Sequence, residues 1–242
     1  MKKASYLVSA FIAVTLIACT TAQIKTFTDT VNTTNGTSNK LSNEEVIQGL
    51  KEALSVGTNN SAGMASKVDG FLKNDLIKIP FPQEAVKVYD AAVKWGFKDK
   101  ADKFVETMNH GAEEAAKSAA PIFLNAIKGM SIGDGFAILK GGDGAATKYL
   151  SDKTGAELHT TFKPKVQEAL KKVALTNYWN PVITAYNKVP GHEPQNPDLD
   201  EYVTGRAKDG LFKLIAIEEN KIRKDPVARV SDILKKVFGS AY

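Results

Sequence analysis

The chain has 242 residues, 43% hydrophobic and 24% charged, with a formal net charge of +5 and a single cysteine, Cys19. A body of about 200 residues buries roughly 70% of its unfolded surface, so a core can hold it together unaided. The lone cysteine excludes an internal disulfide, and no stripe of Lys and Arg with interleaved aromatics gives the electrostatic footprint of nucleic-acid binding.

Met1-Lys2-Lys3 precedes a run from Ala4 to Ala18 broken only by Ser, Thr and Tyr. A basic start, an apolar stretch and small residues at its end are the parts of a secretory signal, predicted here over residues 1–18. The run falls short of the about 20 apolar residues that a spanning helix needs, and the polar residues after it do not extend it. Leu16-Ile17-Ala18-Cys19 resembles the bacterial lipobox, in which the thiol is alkylated with diacylglycerol and the leader is cut before the cysteine. Only sulfur in this stretch is nucleophilic enough for that chemistry, and several acyl chains anchor far more firmly than one. Lipidation at Cys19 is therefore expected. Thr20, in place of Asp, follows the cysteine, which by resemblance to the usual sorting preference directs a protein to the periplasmic face of the outer membrane. Two alternatives stand beside this. Cleavage after Ala22 releases a soluble periplasmic or secreted protein, or Cys19 is an incidental member of the apolar run.

Residues 19–40 contain "QIKTFTDTVNTTNGTSNK", rich in Thr and Asn. This composition predicts a flexible tether with a reach of about 25 Å. From residue 41 to 239 the periodicity is helical nearly everywhere, and 240–242 form a short tail. Ser42 and Glu45 have capping-box spacing, and Val46, Ile47, Leu50, Ala53 and Leu54 then fall on one face. "IPFPQ" at 79–83 is a break, because Pro80 and Pro82 remove amide donors and favour extended neighbours. "QEAVKVYDAAVKWGF" is a helix ended by Gly96. A long helical segment over 99–129 should be kinked or split by Pro121. Ser131 and Asp134 open a short helix that stops at Gly141-Gly142, and Asp143 is expected to cap "GAATKYLSDKT". Past Gly155 a helix with Leu158, Phe162, Val166 and Leu170 is expected to break at Pro164. "TNYWNPVITAYNKV" and a proline-rich loop follow. Leu199 to Lys224 reads as one amphipathic helix with Tyr202, Leu211, Phe212, Ile215 and Ile222 inward. Asp225-Pro226 stops it and starts a last helix, with Pro226 suited to the first position, ending at Gly239. No run alternates as a strand would, so the class is all-α: a single compact multi-helix domain behind a signal peptide and a tether.

Chemistry has few candidates. Glu106, His110 and Glu113 stand at i−4, i and i+3 on one helical face, the spacing that sets two carboxylates beside an imidazole for a metal or for acid–base work. The same spacing arises on an ordinary charged face through intrahelical pairs, and the two-histidine helix of zincins is absent. His159, near Phe162, is expected to be half-buried, and His192 exposed in its loop. "KGGDGAATKYL" looks like a phosphate-cradling loop but lacks the lysine-then-hydroxyl ending and a preceding strand, so a helix cap is the better reading. Ser131 and Ser151 lack the glycine-flanked elbow of hydrolases. Trp95, Trp179, Tyr178 and Tyr186 fit an apolar core or pocket lining. Glu219 and Arg223 form a favourable i, i+4 pair, and Arg206 with Asp209 suggests an interior ion pair that fixes helix register. No cofactor motif is present.

The stretches "LSNEEVIQGLKEALSVGT", "DGFLKND" with "IKIPFP", "MNHGAEEAAKSAAPIF", "AATKYL" and above all "YVTGRAKDGLFKLIAIEENKIRKDPVARVSDILKKVFG" resemble a bacterial family, domain of unknown function 4197. They cover almost everything from Leu41 to Gly239. The resemblance implies a helical, exported protein, frequently with a lipoprotein leader, and it carries no reaction, cofactor, partner or site residue. In the family pattern the position of His110 is more often basic, which turns the resemblance against a histidine metal site. The sequence thus leads to an acyl-anchored envelope protein that is a non-enzymatic binding or accessory module. The alternatives are a carrier of an apolar small molecule or lipid between helices, which requires an enlarged apolar cavity, and a metal-assisted enzyme built on Glu106, His110 and Glu113.

Overall fold

A computed structural model describes residues 42–83, 86–94, 96–172, 198–229 and 231–239, with isolated positions between 184 and 190. These residues form helices α1 (Asn43–Ser66), α2 (Val86–Lys94), α3 (Lys98–Ala116), α4 (Ala119–Lys128), α5 (Ile132–Lys140), α6 (Ala145–Lys171), α7 (Leu199–Lys224) and α8 (Asp232–Gly239), with a 3-10 turn at Pro226–Ala228. No strand occurs among the described residues. The signal peptide, Cys19, the tether, the tail, Trp95, Tyr178, Trp179, Tyr186 and His192 lie outside them.

The long helices build the core. α6 packs against α3 and α7, while α1 packs against α7, α4 and α8. Leu158, Phe162, Val166 and Leu170 of α6 are fully buried, as are Met108 of α3, Phe123 of α4 and Leu211 of α7. Phe71, from the segment between α1 and α2, enters the same core. Phe123 and Phe212 meet edge-on at 5.9 Å between ring centroids, a favoured aromatic geometry. Among the described residues no single helix is long and apolar enough to cross a membrane.

Capping explains the sharp helix starts. Ser42 and Glu45 form a full capping box on α1, and Ser131 and Asp134 form another on α5. Asp198 accepts a hydrogen bond from Glu201 N at 3.0 Å and starts α7. Past the end of α2, Gly96 takes φ +83°, a conformation that glycine adopts without a Cβ penalty.

Four expectations need correction. Pro164 does not break its helix, and Asp143 does not cap a separate one: Ala145–Lys171 is one helix that runs through Gly155 and Pro164, with Gly144 at its N-cap. A proline inside a helix costs about 3 kcal/mol. The ring of Pro164 lies on the exposed face, and four large side chains on the opposite face are buried, at roughly 1.5–3 kcal/mol each. Packing wins. The segment 99–129 does split, as expected of Pro121: the break falls at Lys117–Ser118, where the proline has no amide to offer the Lys117 carbonyl, and Pro121 then lies in the first turn of α4. Pro226 begins a 3-10 turn, and the last helix starts only at Asp232. Finally, Arg206 and Asp209 are exposed. Arg206 lies over the Tyr202 ring at 5.5 Å, and the interior ion pair is Glu219 with Arg223.

Candidate functional site

The predicted face of α3 holds together. Glu106 Oε1 lies 3.9 Å from His110 Nδ1, and Glu113 Oε2 lies 3.9 Å from His110 Nε2. A fourth group, Asp69, joins from the turn after α1 with Oδ1 3.5 Å from His110 Nε2. The Lys73 ammonium, hydrogen-bonded to Asp69, and to a smaller extent His110 hold the Asp69 carboxyl below its ordinary value against a desolvation effect of the opposite sign. Asp69 takes φ +61°, a conformation uncommon outside glycine.

The buried member of this set has another task. Glu113, with only 7% of its side chain exposed, accepts hydrogen bonds from the amides of Asp69 (3.2 Å), Phe71 (3.0 Å) and Leu72 (3.2 Å). Four residues earlier, the fully buried Asn109 pairs with both backbone groups of Ile79, each at 2.8 Å, and also donates to Val105 O at 2.7 Å. Together Glu113 and Asn109 pin the segment that links α1 to α2 onto α3. Two carboxylates face one ring nitrogen of His110 and the third faces the other, so the three do not share a point about 2 Å from every donor. Among the described residues no group of three or more His, Cys, Asp or Glu is placed to hold a metal.

Beside this cluster a groove of about 690 Å³ opens between α2, α3 and residues 72–83. The proline break creates one wall. Phe81 lies 5.3 Å from the Tyr89 ring and 4.9 Å from Phe104, and the Pro80 carbonyl accepts a hydrogen bond from Tyr202 Oη at 3.2 Å. Asp90, Asp102 and Glu106 line the groove together with Lys78. Tyr89 donates to Asp102 Oδ1 at 2.9 Å, and Lys98 pairs with Asp102 Oδ2. The hydrogen bond to Asp102 raises the Tyr89 phenol above its ordinary value, with burial and the charges of Asp102 and Asp90 acting in the same direction. Lys98 and then Tyr89 hold the Asp102 carboxyl down.

The loop that resembles a phosphate cradle already has an anion. Glu219, from α7, accepts from Ala146 N at 3.1 Å, Thr147 N at 2.9 Å and the Thr147 hydroxyl at 2.8 Å, at the start of α6. Arg223 donates to Glu219 Oε1 at 2.9 Å and to Ile138 O at 2.9 Å. The helix-cap reading holds, with Glu219 in the role expected of Asp143. The adjoining cavity between α1, α7 and α8 has a volume of only about 20 Å³, room for roughly one water molecule. His159 is half-buried as expected, and its Nε2 lies 3.3 Å from Glu201 Oε2, beside Lys163.

Residues 40–239 match the model of a family described as a protein of unknown function, DUF4197. The chain belongs to this family. No curated protein and no solved structure matches it. The DUF4197 domain therefore brings its helical body to the question of function, and the residues themselves must supply the rest. Asp69 and Asn109 were missed at the sequence level. An asparagine among the apolar positions of α3, four residues before Glu113, was the available signal for the second; nothing near Asp69 in the chain pointed to α3.

Proposed function

We propose that this DUF4197 protein is an acyl-anchored component of the bacterial cell envelope, held by Cys19 on the periplasmic face of the outer membrane. Its helical body is a non-enzymatic binding or accessory module, and the groove between α2 and α3 is its binding surface. The observation that carries this reading is the contrast between a groove of about 690 Å³ and a core cavity of about 20 Å³. Small-molecule sites run from about 300 to 1,000 Å³. The groove falls in that range, whereas the cavity between α1, α7 and α8 has room for roughly one water molecule. The enzyme alternative loses support for a different reason: Glu113 is saturated by backbone amides and is poorly placed to move a proton.

Native mass spectrometry of the protein purified from its own host tests both halves. The expected result is a mass carrying acyl chains on Cys19, with the leader removed before it, and a ligand retained by the body and released on mild activation. An unacylated mass beginning after Ala22 would overturn the anchor. A ligand lost on substitution at Glu113 and kept after substitution in the groove would overturn the site.

A further inference from the structure

We infer that α8 is a releasable strap: it opens away from α1 while the helices before it stay folded, and the apolar slot it uncovers takes the α8 of a second copy of this chain. α8 is lightly held. It is eight residues long, and among its described residues only Val237 is buried, whereas α6 buries seven side chains. A helix this short has little stability of its own in water, so α8 persists through its packing on α1. Elements with few buried apolar contacts open locally, ahead of the fold as a whole. The opening also has a fixed edge. Arg229 donates from Nε to Ile222 O at 3.1 Å and from Nη2 to Arg223 O at 2.8 Å, two carbonyls in the last turn of α7. This peg closes the end of α7 without any help from α8, so α7 keeps its cap when α8 leaves.

The slot is cut for this helix. Leu50, Ala53, Leu54, Ile215 and Ile222 line it with Phe238 above them, and the space left beneath α8 is about 20 Å³. Gly49 makes the room on α1: a Cβ there would lie 2.7 Å from Val237 Cγ2 and 3.1 Å from Ile233 Cγ1. With α8 away, buried apolar side chains of α1 and α7 would face water, and an apolar strip of that kind draws a partner. A segment that covers it must bring apolar side chains at i, i+4 and i+5 of a helix, the spacing of Ile233, Val237 and Phe238. A second copy carries that helix already. Seated on its neighbour, it would reproduce every contact it makes at home, the low-cost exchange of an identical element between protomers.

Two measurements on the full-length protein in detergent micelles test this. Hydrogen exchange on the wild type reads the strap: the amides of α8 are expected to exchange at least a hundredfold faster than those of α7 from Ala207 to Glu218. Equal protection would show that α8 leaves only when the whole fold does, and would overturn the inference. Thiol trapping reads the second copy. Gly49→Cys and Val237→Cys variants are prepared separately, mixed and oxidised, each variant alone serving as the blank for disulfides through Cys19. The expected product is a covalent dimer joining positions 49 and 237, identified by peptide mass spectrometry and rising with protein concentration. The double variant Gly49→Cys/Val237→Cys checks the geometry, since the two positions are close enough for a disulfide, and when dilute it should close within one chain. If it closes and the mixture yields no 49–237 dimer above the blank, the exchange between copies is overturned. If it does not close, with the fold intact by circular dichroism, the seat of α8 on α1 is overturned as well. None of these residues lines the groove between α2 and α3, so either failure leaves the binding surface proposed there standing.

Discussion

Glu113 and Glu219 are buried carboxylates occupied by backbone amides; Glu113 fastens the segment between α1 and α2 to α3, and Glu219 fastens the first turn of α6 to α7. Removing either leaves donors unpaired in the interior, at about 1–3 kcal/mol per group. Glu113→Ala is expected to lower unfolding stability by about 2–4 kcal/mol in urea titrations, and Glu113→Gln by less, because one oxygen remains to accept. An equal loss for the two would mean that charge, and not acceptance, matters there. For the interior ion pair, Glu219→Ala and Arg223→Ala should each cost about 3–5 kcal/mol, with the double variant well short of the sum. Gly70 makes a sharper test. A Cβ there would lie 2.4 Å from Met64 O, 2.7 Å from Ala65 O and 2.8 Å from Lys67 O, all backbone atoms that cannot swing aside. Gly70→Ala should therefore destabilise by more than about 2 kcal/mol, whereas Gly63→Ala, with open space around it, should not. At this scale the sequence was only half legible. The spacing of Glu106, His110 and Glu113 on one face, and of Glu219 with Arg223, followed from helix geometry. The amides that claim Glu113 lie 41 to 44 residues away in the chain, and those that claim Glu219 lie 72 and 73 away, distances at which spacing says nothing.

Helix starts and stops were legible wherever a side chain caps its own helix. The boxes at Ser42 and Ser131, and the full extent of Leu199–Lys224, follow from residues within four positions of the ends. α6 was not, since the local cost of Pro164 is visible in sequence and the burial that outweighs it is not. Pro164→Ala is accordingly expected to raise the melting temperature, the stability gain being about 1–3 kcal/mol, with no change in helical content. A lower melting temperature would mean that the proline stiffens a needed bend. Acid should loosen the elements from their carboxylates. Ser131, through its hydroxyl and its amide, holds the Asp134 carboxyl below its ordinary value, and Lys73 and Lys98 do so for Asp69 and Asp102. At Glu218 burial works to raise the carboxyl, but Lys221 and Asn60 together outweigh it. A carboxyl lowered in the folded state contributes stability above its unfolded value, near pH 4, and that contribution is lost as the pH falls through the folded value. Melting temperature should thus decline below about pH 4. A flat profile down to pH 2 would show that these contacts add nothing in solution.

For the whole molecule, composition and periodicity sufficed for the all-α class, because nearly every described segment carries a 3.6-residue apolar repeat and none alternates. The groove was beyond reach of the sequence. It needs the proline break at 79–83 folded back beside α2 and α3, and Asn109 and Glu113, reading as ordinary helix residues, hold it there together with Tyr202 and the ring contacts of Phe81. The body so built has a packed core and a groove on its surface lined by Phe81, Tyr89 and charged side chains of both signs. Everything about place depends on Cys19. Growth of the native host with labelled palmitate, followed by fractionation of wild type and Cys19→Ser, tests this most directly. Label should appear in the wild-type protein, in the outer-membrane fraction, and both label and membrane attachment should be lost together in Cys19→Ser. Wild-type protein without label, or a Cys19→Ser protein that stays on the membrane, would show that Cys19 is not the anchor.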